Sequence, residues 1–156
     1  MKKIIYIRQS SVLPCMSGDK EWREIQHLRW LLDLGFSPVL FYSSFDHYKK
    51  KQRLPVAYMM DGVEYSSIYS PGYTNNASFM RLFDAWFFSW SLFFKLFSRR
   101  SDFSAIYVSM PTPESLLIAG VFSRIFKKKL FIDFRDAWPR AFGTIKKSRY
   151  IYYFFS

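Results

Sequence analysis

One cysteine, two histidines and six glycines limit the chemistry that this chain of 156 residues can support. Because Cys15 is the only cysteine, no disulfide within the chain is possible, and a reducing cytoplasm fits. Gly18 is the only glycine in the loop after the first predicted strand, whereas dinucleotide-binding loops need closely spaced glycines. The histidines stand far apart and no Asp-x-Asp pair exists, so we predict no cofactor and no bound metal.

Acidic residues are also scarce, with 12 against 23 basic residues and a formal net charge of +11. Such a charge favours anionic partners, which include lipid head groups, phosphorylated substrates and nucleic acid. The sequence has no recognisable nucleic-acid-binding motif, so we predict no nucleic-acid partner. An anionic membrane surface and a phosphorylated substrate remain.

Long uncharged apolar runs are missing. The most lipid-like stretch is Phe79 to Phe97, in which charged side chains leave an uncharged run only from Ala85 to Phe94. A membrane-spanning helix needs roughly 20 apolar residues. The apolar run Ile4 to Ile7 is too short for the core of a signal peptide. We therefore predict a cytoplasmic protein.

What the chain has in abundance is apolar and aromatic residues, at 50% and 22% of the sequence, which is enough for one sizeable core. Short apolar segments alternate with helical patterns, which predicts an α/β domain over 1–156 with a Rossmann-like parallel sheet and helices on both faces. A hairpin turn at Asp61-Gly62 is expected at one edge of the sheet. The predicted parallel strands are Lys3 to Arg8, Pro38 to Tyr42, Ala105 to Ser109 and Leu130 to Phe134.

The helix predicted from Phe79 to Phe97 has an unusually wide apolar surface. Its aromatic and leucine side chains recur along one face, which either belongs to the core or binds a membrane surface. That face comprises Phe79, Leu82, Phe83, Trp86, Trp90, Phe93, Phe94 and Phe97, and the opposite face carries Arg81, Asp84, Ser91, Lys95 and Ser98. A later helix is predicted to start at Thr112, with its hydroxyl as the cap, followed by Pro113.

Candidate functional residues follow the predicted strands, because ligands of open α/β sheets bind beyond the carboxyl ends of the strands. Arg135 and Asp136 follow the last strand, with Trp138 and Pro139 behind them. His47 lies in the segment from Ser43 to Arg53, which we predict to be an exposed basic loop, and its imidazole could meet a ligand there. His27 lies within a predicted helix and is interpreted as a surface or internally satisfied histidine.

Three segments then carry a resemblance to a known family. They are Ser43-Ser44-Phe45-Asp46-His47-Tyr48, Val108-Ser109-Met110-Pro111-Thr112-Pro113 and Phe134-Arg135-Asp136-Ala137-Trp138-Pro139. In this order they resemble the N-terminal domain of family 4 glycosyltransferases of the GT-B type. The last segment is similar to the Arg-Asp-Leu-Trp-Pro stretch of the subgroup that builds lipopolysaccharide, capsule and exopolysaccharide.

The resemblance implies one half of a GT-B enzyme, whose C-terminal domain, absent from this chain, would bind the nucleotide-sugar donor. The acceptor implied is a lipid-linked saccharide at the inner face of the plasma membrane, and the missing half could be a complementary chain. Catalytic roles are implied for Asp136, which would orient the acceptor hydroxyl, and for Arg135, which would bind phosphate. Acceptor contacts are implied for Ser17, Gly18, His47, Ser109, Pro111 and Trp138.

Two alternatives stay open from the sequence. Arg135 and Asp136 could form an ion pair that only holds their loop. The whole domain could also be a non-catalytic, basic and aromatic-rich module that binds an anionic membrane or a partner chain.

Overall fold

Six strands form one mainly parallel sheet in the computed structural model, which describes residues 2–11, 23–53, 57–109 and 112–134. The strands of the chain are β1 Lys3–Ile7, β2 Ser37–Ser43, β3 Phe45–Asp46, β4 Lys51–Gln52, β5 Ala57–Met60, β6 Val63–Ile68, β7 Phe103–Ser109 and β8 Lys129–Asp133. The helices in the described part are α1 Arg23–Asp33, α2 Phe79–Ser98 and α3 Pro113–Ile125. The domain is therefore a mixed α/β structure, as predicted.

The order of the strands in the main sheet is β5-β6-β2-β1-β7-β8, while β3 and β4 form a separate two-stranded sheet. All neighbouring pairs in the main sheet are parallel except β5 with β6. Counted along the chain, the five parallel strands take the order 3-2-1-4-5, which is the order of doubly wound nucleotide-binding folds. The direction of winding reverses between β1 and β7, so a ligand crevice is expected beyond the ends of these two strands.

Alternate residues of β1 enter two different hydrophobic clusters. Ile5 and Ile7 belong to the larger cluster, which also contains residues of α2 and α3 such as Leu92 and Phe122. Tyr6 belongs to a second cluster with Leu28 of α1. Since successive side chains of a strand point to opposite sides, each face of this central strand is buried, which explains its run of isoleucine and tyrosine.

Local signals in the sequence predict the end of α1 and the hairpin turn correctly. Gly35 has a φ of +79° and ends α1, with its N–H donating to the Leu32 carbonyl. Asp61 and Gly62 both have positive φ, as a two-residue hairpin turn requires. Thr112 is the N-cap residue of α3 and Pro113 follows it, as predicted, but the Thr112 Oγ1 donates to Ser115 Oγ at 3.1 Å and accepts no capping hydrogen bond, so only the predicted role of the hydroxyl is wrong.

The hairpin at Asp61-Gly62 is more than the small antiparallel excursion that we expected. Its second strand, β6, pairs in parallel with β2 and is the third of the five parallel strands in chain order. Only β5 pairs antiparallel, at the edge of the sheet. The polar composition of β6 hid this role, because Glu64, Ser66 and Ser67 break the apolar run typical of a parallel strand.

The aromatic face predicted for α2 is mostly exposed, which contradicts the alternative in which it belongs to the core. The buried side chains are Asp84, Ala85, Phe88, Ser89, Leu92 and Leu96, so a residue assigned to the polar outer face lies in the interior. Seven of the eight residues predicted on the aromatic face are exposed, namely Phe79, Leu82, Phe83, Trp86, Trp90, Phe94 and Phe97, while Phe93 is half-buried against the core. We call these seven exposed residues the aromatic ridge.

The physical reason is that α2 is apolar around most of its circumference, so periodicity did not decide its orientation. The buried Asp84 is fixed instead by partners that are distant in sequence. Its Oδ2 accepts from Gln9 Nε2 at 3.0 Å, and its Oδ1 accepts from the N–H of Gly72 at 2.7 Å. No described helix has the length and apolarity needed to cross a membrane.

Candidate functional site

Only two of the predicted site residues belong to the described part of the chain, namely His47 and Ser109. The others lie outside it: Ser17, Gly18, Pro111, Arg135, Asp136 and Trp138. The two described residues lie near the carboxyl ends of the strands, which we call the carboxyl edge.

Ser109 ends β7 and is buried at this edge. Its hydroxyl accepts a hydrogen bond from Arg8 Nη1 at 3.2 Å and donates one to Asp133 Oδ2 at 3.2 Å. Arg8 directly follows β1, and its side chain is also buried. The Arg8 Nε lies 3.0 Å from Glu24 Oε1 of α1. One polar network therefore joins β1, β7, β8 and α1 at the point where the winding of the sheet reverses.

Arg8 and Glu24 were not among the predicted functional residues. Arg8 was interpreted as the end of the first strand, and Glu24 carried no signal as part of an amphipathic helix. The sequence did contain a signal for Arg8, which is a charged residue directly after a strand that is buried on both faces. A buried charge needs a partner, so a second polar residue was to be expected beside it.

Buried polar atoms with no hydrogen-bond partner in the described residues lie next to this network. They are Gln9 Oε1 and Ser11 Oγ, and both residues are less than one-tenth exposed. A buried group without a partner costs about 1–3 kcal/mol, which a bound water or ligand can offset. The loop that leaves β1 thus presents polar groups at the expected position of a ligand crevice.

His47 follows β3 and is half-buried, not in a fully exposed loop. Its Nδ1 is hydrogen-bonded to the hydroxyl of Tyr73. Burial lowers the pKa of His47, and the positive charges of Lys50 and Arg81 lower it further. The imidazole is therefore held largely neutral near pH 7, where it can donate or accept a proton at its ring nitrogens.

The predicted exposure of the segment from Ser43 to Arg53 is wrong for its first half. Ser43, Ser44, Phe45 and Asp46 are buried. Ser43 Oγ lies 2.6 Å from Ser70 Oγ, so a hydrogen bond between two hydroxyl groups links the end of β2 to the segment that follows β6. His27 is satisfied as expected, because its Nδ1 lies 3.2 Å from the hydroxyl of Tyr6.

The two predicted site residues lie in neighbouring parts of the same edge. Ser109 contacts Arg8, and the next residue, Gln9, donates to Asp84. Asp84 in turn holds the backbone N–H of Gly72, directly before the Tyr73 that contacts His47. The fold thus connects the two positions through α2, although they are separated by 62 positions in the numbering.

A cavity of about 450 Å³ lies at the opposite edge of the sheet, where β1, β7 and β8 begin. It is lined mainly by apolar atoms, with Lys2 and Lys129 as the charged residues of its wall. It contains neither His47 nor Ser109. We therefore place the candidate site at the carboxyl edge, where the buried polar groups lie.

Within the described ranges, no group of three or more His, Cys, Asp or Glu side chains is arranged to hold a metal ion. Comparison of the sequence with models of protein families and with curated proteins gives no match.

Proposed function

We propose that residues 1–156 form the acceptor-side half of a GT-B glycosyltransferase, with a Rossmann-like sheet covered by helices on both faces. The reaction proposed is transfer of a sugar from a nucleotide-sugar donor to a lipid-linked saccharide, in the synthesis of bacterial surface polysaccharide. The enzyme would work from the cytoplasm, as a peripheral protein at the inner face of the plasma membrane.

The observation that carries the proposal is the hydrogen bond from Ser109 Oγ to Asp133 Oδ2 at 3.2 Å. Ser109 belongs to the second motif of the resemblance, and Asp133 comes two residues before Arg135 of the third. The bond therefore joins Ser109 of the second motif to the residue directly before the third motif, across 24 positions of sequence. Open α/β sheets bind their ligands beyond this edge, at the reversal of winding.

The proposed chemistry assigns one role to each of the motif residues. The acceptor hydroxyl attacks the anomeric carbon of the sugar, the bond from that carbon to the nucleoside diphosphate breaks, and the hydroxyl loses its proton. Asp136 would orient the hydroxyl and accept the proton, and Arg135 would bind phosphate with two parallel hydrogen bonds. A second, donor-binding domain must hold the nucleotide sugar beside them, in the same polypeptide or in a complementary chain.

The test is transfer of labelled sugar to a lipid-linked acceptor after a matching donor-binding domain is fused behind Ser156 or added as a separate chain. Asp136→Ala should lower the rate by about 100-fold or more if the carboxylate does acid–base work. Asp102→Ala, which removes an exposed carboxylate from the loop before β7, is the matched control and should leave the rate unchanged. Efficient transfer by residues 1–156 alone would contradict the proposal, because donor binding is assigned to the other domain.

A smaller loss of rate in Asp136→Ala, together with a lower melting temperature, would support the alternative in which Arg135 and Asp136 only hold the loop. The two interpretations differ in which quantity changes most, the transfer rate or the melting temperature. If Asp136 is catalytic, Asp136→Ala changes mainly the transfer rate. If the ion pair only holds the loop, Asp136→Ala changes mainly the melting temperature.

The aromatic ridge of α2 favours a second candidate function, a non-catalytic module that binds an anionic membrane. Phe79 is 88% exposed and Trp90 is 54% exposed, and exposed aromatic side chains of this number mark interaction surfaces. The excess of positive charge fits an anionic bilayer, because each basic residue near such a surface contributes about 1 kcal/mol. The basic runs Lys49 to Lys51 and Lys127 to Lys129 would assist.

Vesicle flotation tests this second candidate. Binding to anionic vesicles should fall with added salt and with Trp86→Ser combined with Trp90→Ser. Trp30→Ser is the matched control, because Trp30 is 59% exposed but lies on α1. If the protein stays with the soluble fraction at low salt, the ridge does not bind membranes, and a partner chain becomes the remaining occupant to test.

A further inference from the structure

Two cationic side chains and the imidazole of His47 surround Tyr73 and Asn76 at the carboxyl edge. His47 Nδ1 is hydrogen-bonded to the Tyr73 hydroxyl, and Lys50 Nζ lies 4.3 Å from the centre of the Tyr73 ring. Lys50 also donates to Asn76 Oδ1, and Arg81 Nη1 donates to the Asn76 carbonyl at 3.2 Å. Residues from two distant segments, 47–50 and 73–81, thus hold His47, Lys50 and Arg81 together.

The neighbouring carboxylates have direct partners other than this cluster. Asp46 forms an ion pair with Arg53 at 3.1 Å, and Asp84 is buried and accepts from a backbone amide and a glutamine side chain. In the described part of the chain, no ion pair includes Lys50 or Arg81. Lys50 and Arg81 therefore lack an ion-pair partner among the described residues, and the more distant charge of Asp84 only partly offsets the lowering of the pKa of Lys50.

The electrostatics of the cluster agree with its geometry. Burial is the first cause that lowers the pKa of Lys50, and the charge of Arg81 is the second. The same two cations lower the pKa of His47. Cations that raise one another's free energy in this way are stabilised by an anion bound between them.

The start of α2 adds to the positive potential at this place. Ser78 caps the helix, and the first turn contains no acidic residue, so the positive end of the helix dipole is not compensated there. Phe79 and Met80 of the same turn are 88% and 51% exposed, and they begin the apolar surface that continues along the ridge. Cationic groups and exposed apolar side chains are therefore adjacent, as in sites for the head group of a lipid.

We propose that His47, Lys50 and Arg81 form a binding site for a phosphate group. Lys50 and Arg81 supply charged N–H donors, and His47 supplies a ring nitrogen that can donate once the anion raises its proton affinity. That the phosphate is carried by a lipid rests on the proposed function, while the site itself rests only on the cluster.

The test compares two double variants that remove the same charge from one region. Lys50→Ala with Arg81→Ala removes cluster cations, and Lys49→Ala with Lys51→Ala removes two exposed lysines of the same segment. Binding is measured to phosphatidylcholine vesicles with and without phosphatidate, and separately to inorganic phosphate by ³¹P relaxation. Loss of two charge-assisted hydrogen bonds should weaken binding by about 100-fold in the cluster variant, but by less than about tenfold in the control.

Each outcome decides the proposal. Selective loss of phosphatidate binding in the cluster variant, without competition by inorganic phosphate, supports a lipid-carried phosphate, whereas selective loss of inorganic phosphate binding supports a free phosphate. Equal losses in the two double variants, or no binding by the unmodified protein, would overturn the site. Lys50→Gln with Arg81→Gln keeps hydrogen-bonding groups beside Asn76 and provides the same comparison if the alanine variant unfolds.

The binding measurement needs neither a donor domain nor sugar transfer. Absence of transferase activity would therefore leave a positive phosphate result intact, and a failed phosphate site would leave the glycosyltransferase proposal to its own assay.

Discussion

Gln9 Nε2 donates a hydrogen bond of 3.0 Å to the buried carboxylate of Asp84, across 75 positions of sequence. This bond joins the loop after β1 to the interior face of α2. It explains why an acidic residue is buried in a helix that offers so many apolar side chains for burial.

Asp84→Ala should lower the free energy of unfolding by roughly 2 to 4 kcal/mol, because it leaves the Gly72 N–H and the Gln9 amide buried without an acceptor. Asp84→Asn should cost less. Its Oδ1 can still accept from Gly72, and Gln9 can turn its unpaired Oε1 towards the new amide. Urea denaturation checks both variants, and an equal loss in the two would contradict this account.

Gly72→Ala should destabilise the domain more than Gly35→Ala. Both glycines have positive φ, at +83° and +79°, so both substitutions carry a backbone strain of about 1 kcal/mol. A Cβ at Gly72 would lie 2.4 Å from the Phe45 ring, whereas a Cβ at Gly35 meets nothing within 4 Å. We expect an additional loss of about 1–3 kcal/mol at Gly72 from overpacking, measured as the difference in unfolding free energy.

Leu92→Ala and Trp90→Ala test the orientation of α2. Leu92 is fully buried, so its truncation should cost about 2–5 kcal/mol. Trp90 is 54% exposed, so removing this larger side chain should change the unfolding free energy by only about 0.5 kcal/mol. A greater loss at Trp90 than at Leu92 would mean that the aromatic ridge faces the core.

Acid should remove a stabilising contribution of Asp46. Burial raises the pKa of this carboxyl, but the N–H groups of Lys49 and Tyr48 and the Arg53 guanidinium together outweigh burial and lower it. A lowered pKa stabilises the fold above the unfolded value of about 3.9, and this contribution is lost as pH falls through the folded value.

Asp46→Asn keeps an oxygen acceptor for the two backbone N–H groups but loses the charge beside Arg53. The protein should therefore be more stable than the variant near neutral pH, and the difference should shrink as pH falls from about 5 towards 2. Thermal unfolding across this range measures it. A difference that stays constant with pH would show that the charge of Asp46 does not stabilise the fold.

How far the sequence predicts this fold is clearest at the ends of its elements. The run of Ile4, Ile5, Tyr6 and Ile7 predicts a strand buried on both faces, and Asp61-Gly62 predicts the hairpin turn, because both signals are local. The role of β6 was not predictable in the same way. Its serines and Glu64 do not form an apolar run, and its parallel pairing with β2 depends on a partner over 20 positions away.

The same distinction between local signals and distant contacts applies to the candidate site. Its location at the carboxyl edge follows from the order of strands and helices, which indicated His47, while Ser109 was implied by the family resemblance. The sequence did not indicate that Ser109 contacts Arg8 and Asp133, or that His47 contacts Tyr73. These partners are distant along the chain and no local spacing encodes them.

The sequence by itself determined the α/β class, the apolar strands of the sheet and the basic, aromatic composition of the chain, because composition and short-range periodicity are properties of neighbouring residues. Only the tertiary structure decided which side of α2 faces the core and which cations gather around Tyr73 and Asn76. An apolar helix can be buried on more than one face with similar free energy, and the buried hydrogen bonds of Asp84 to Gly72 and Gln9 select one of them.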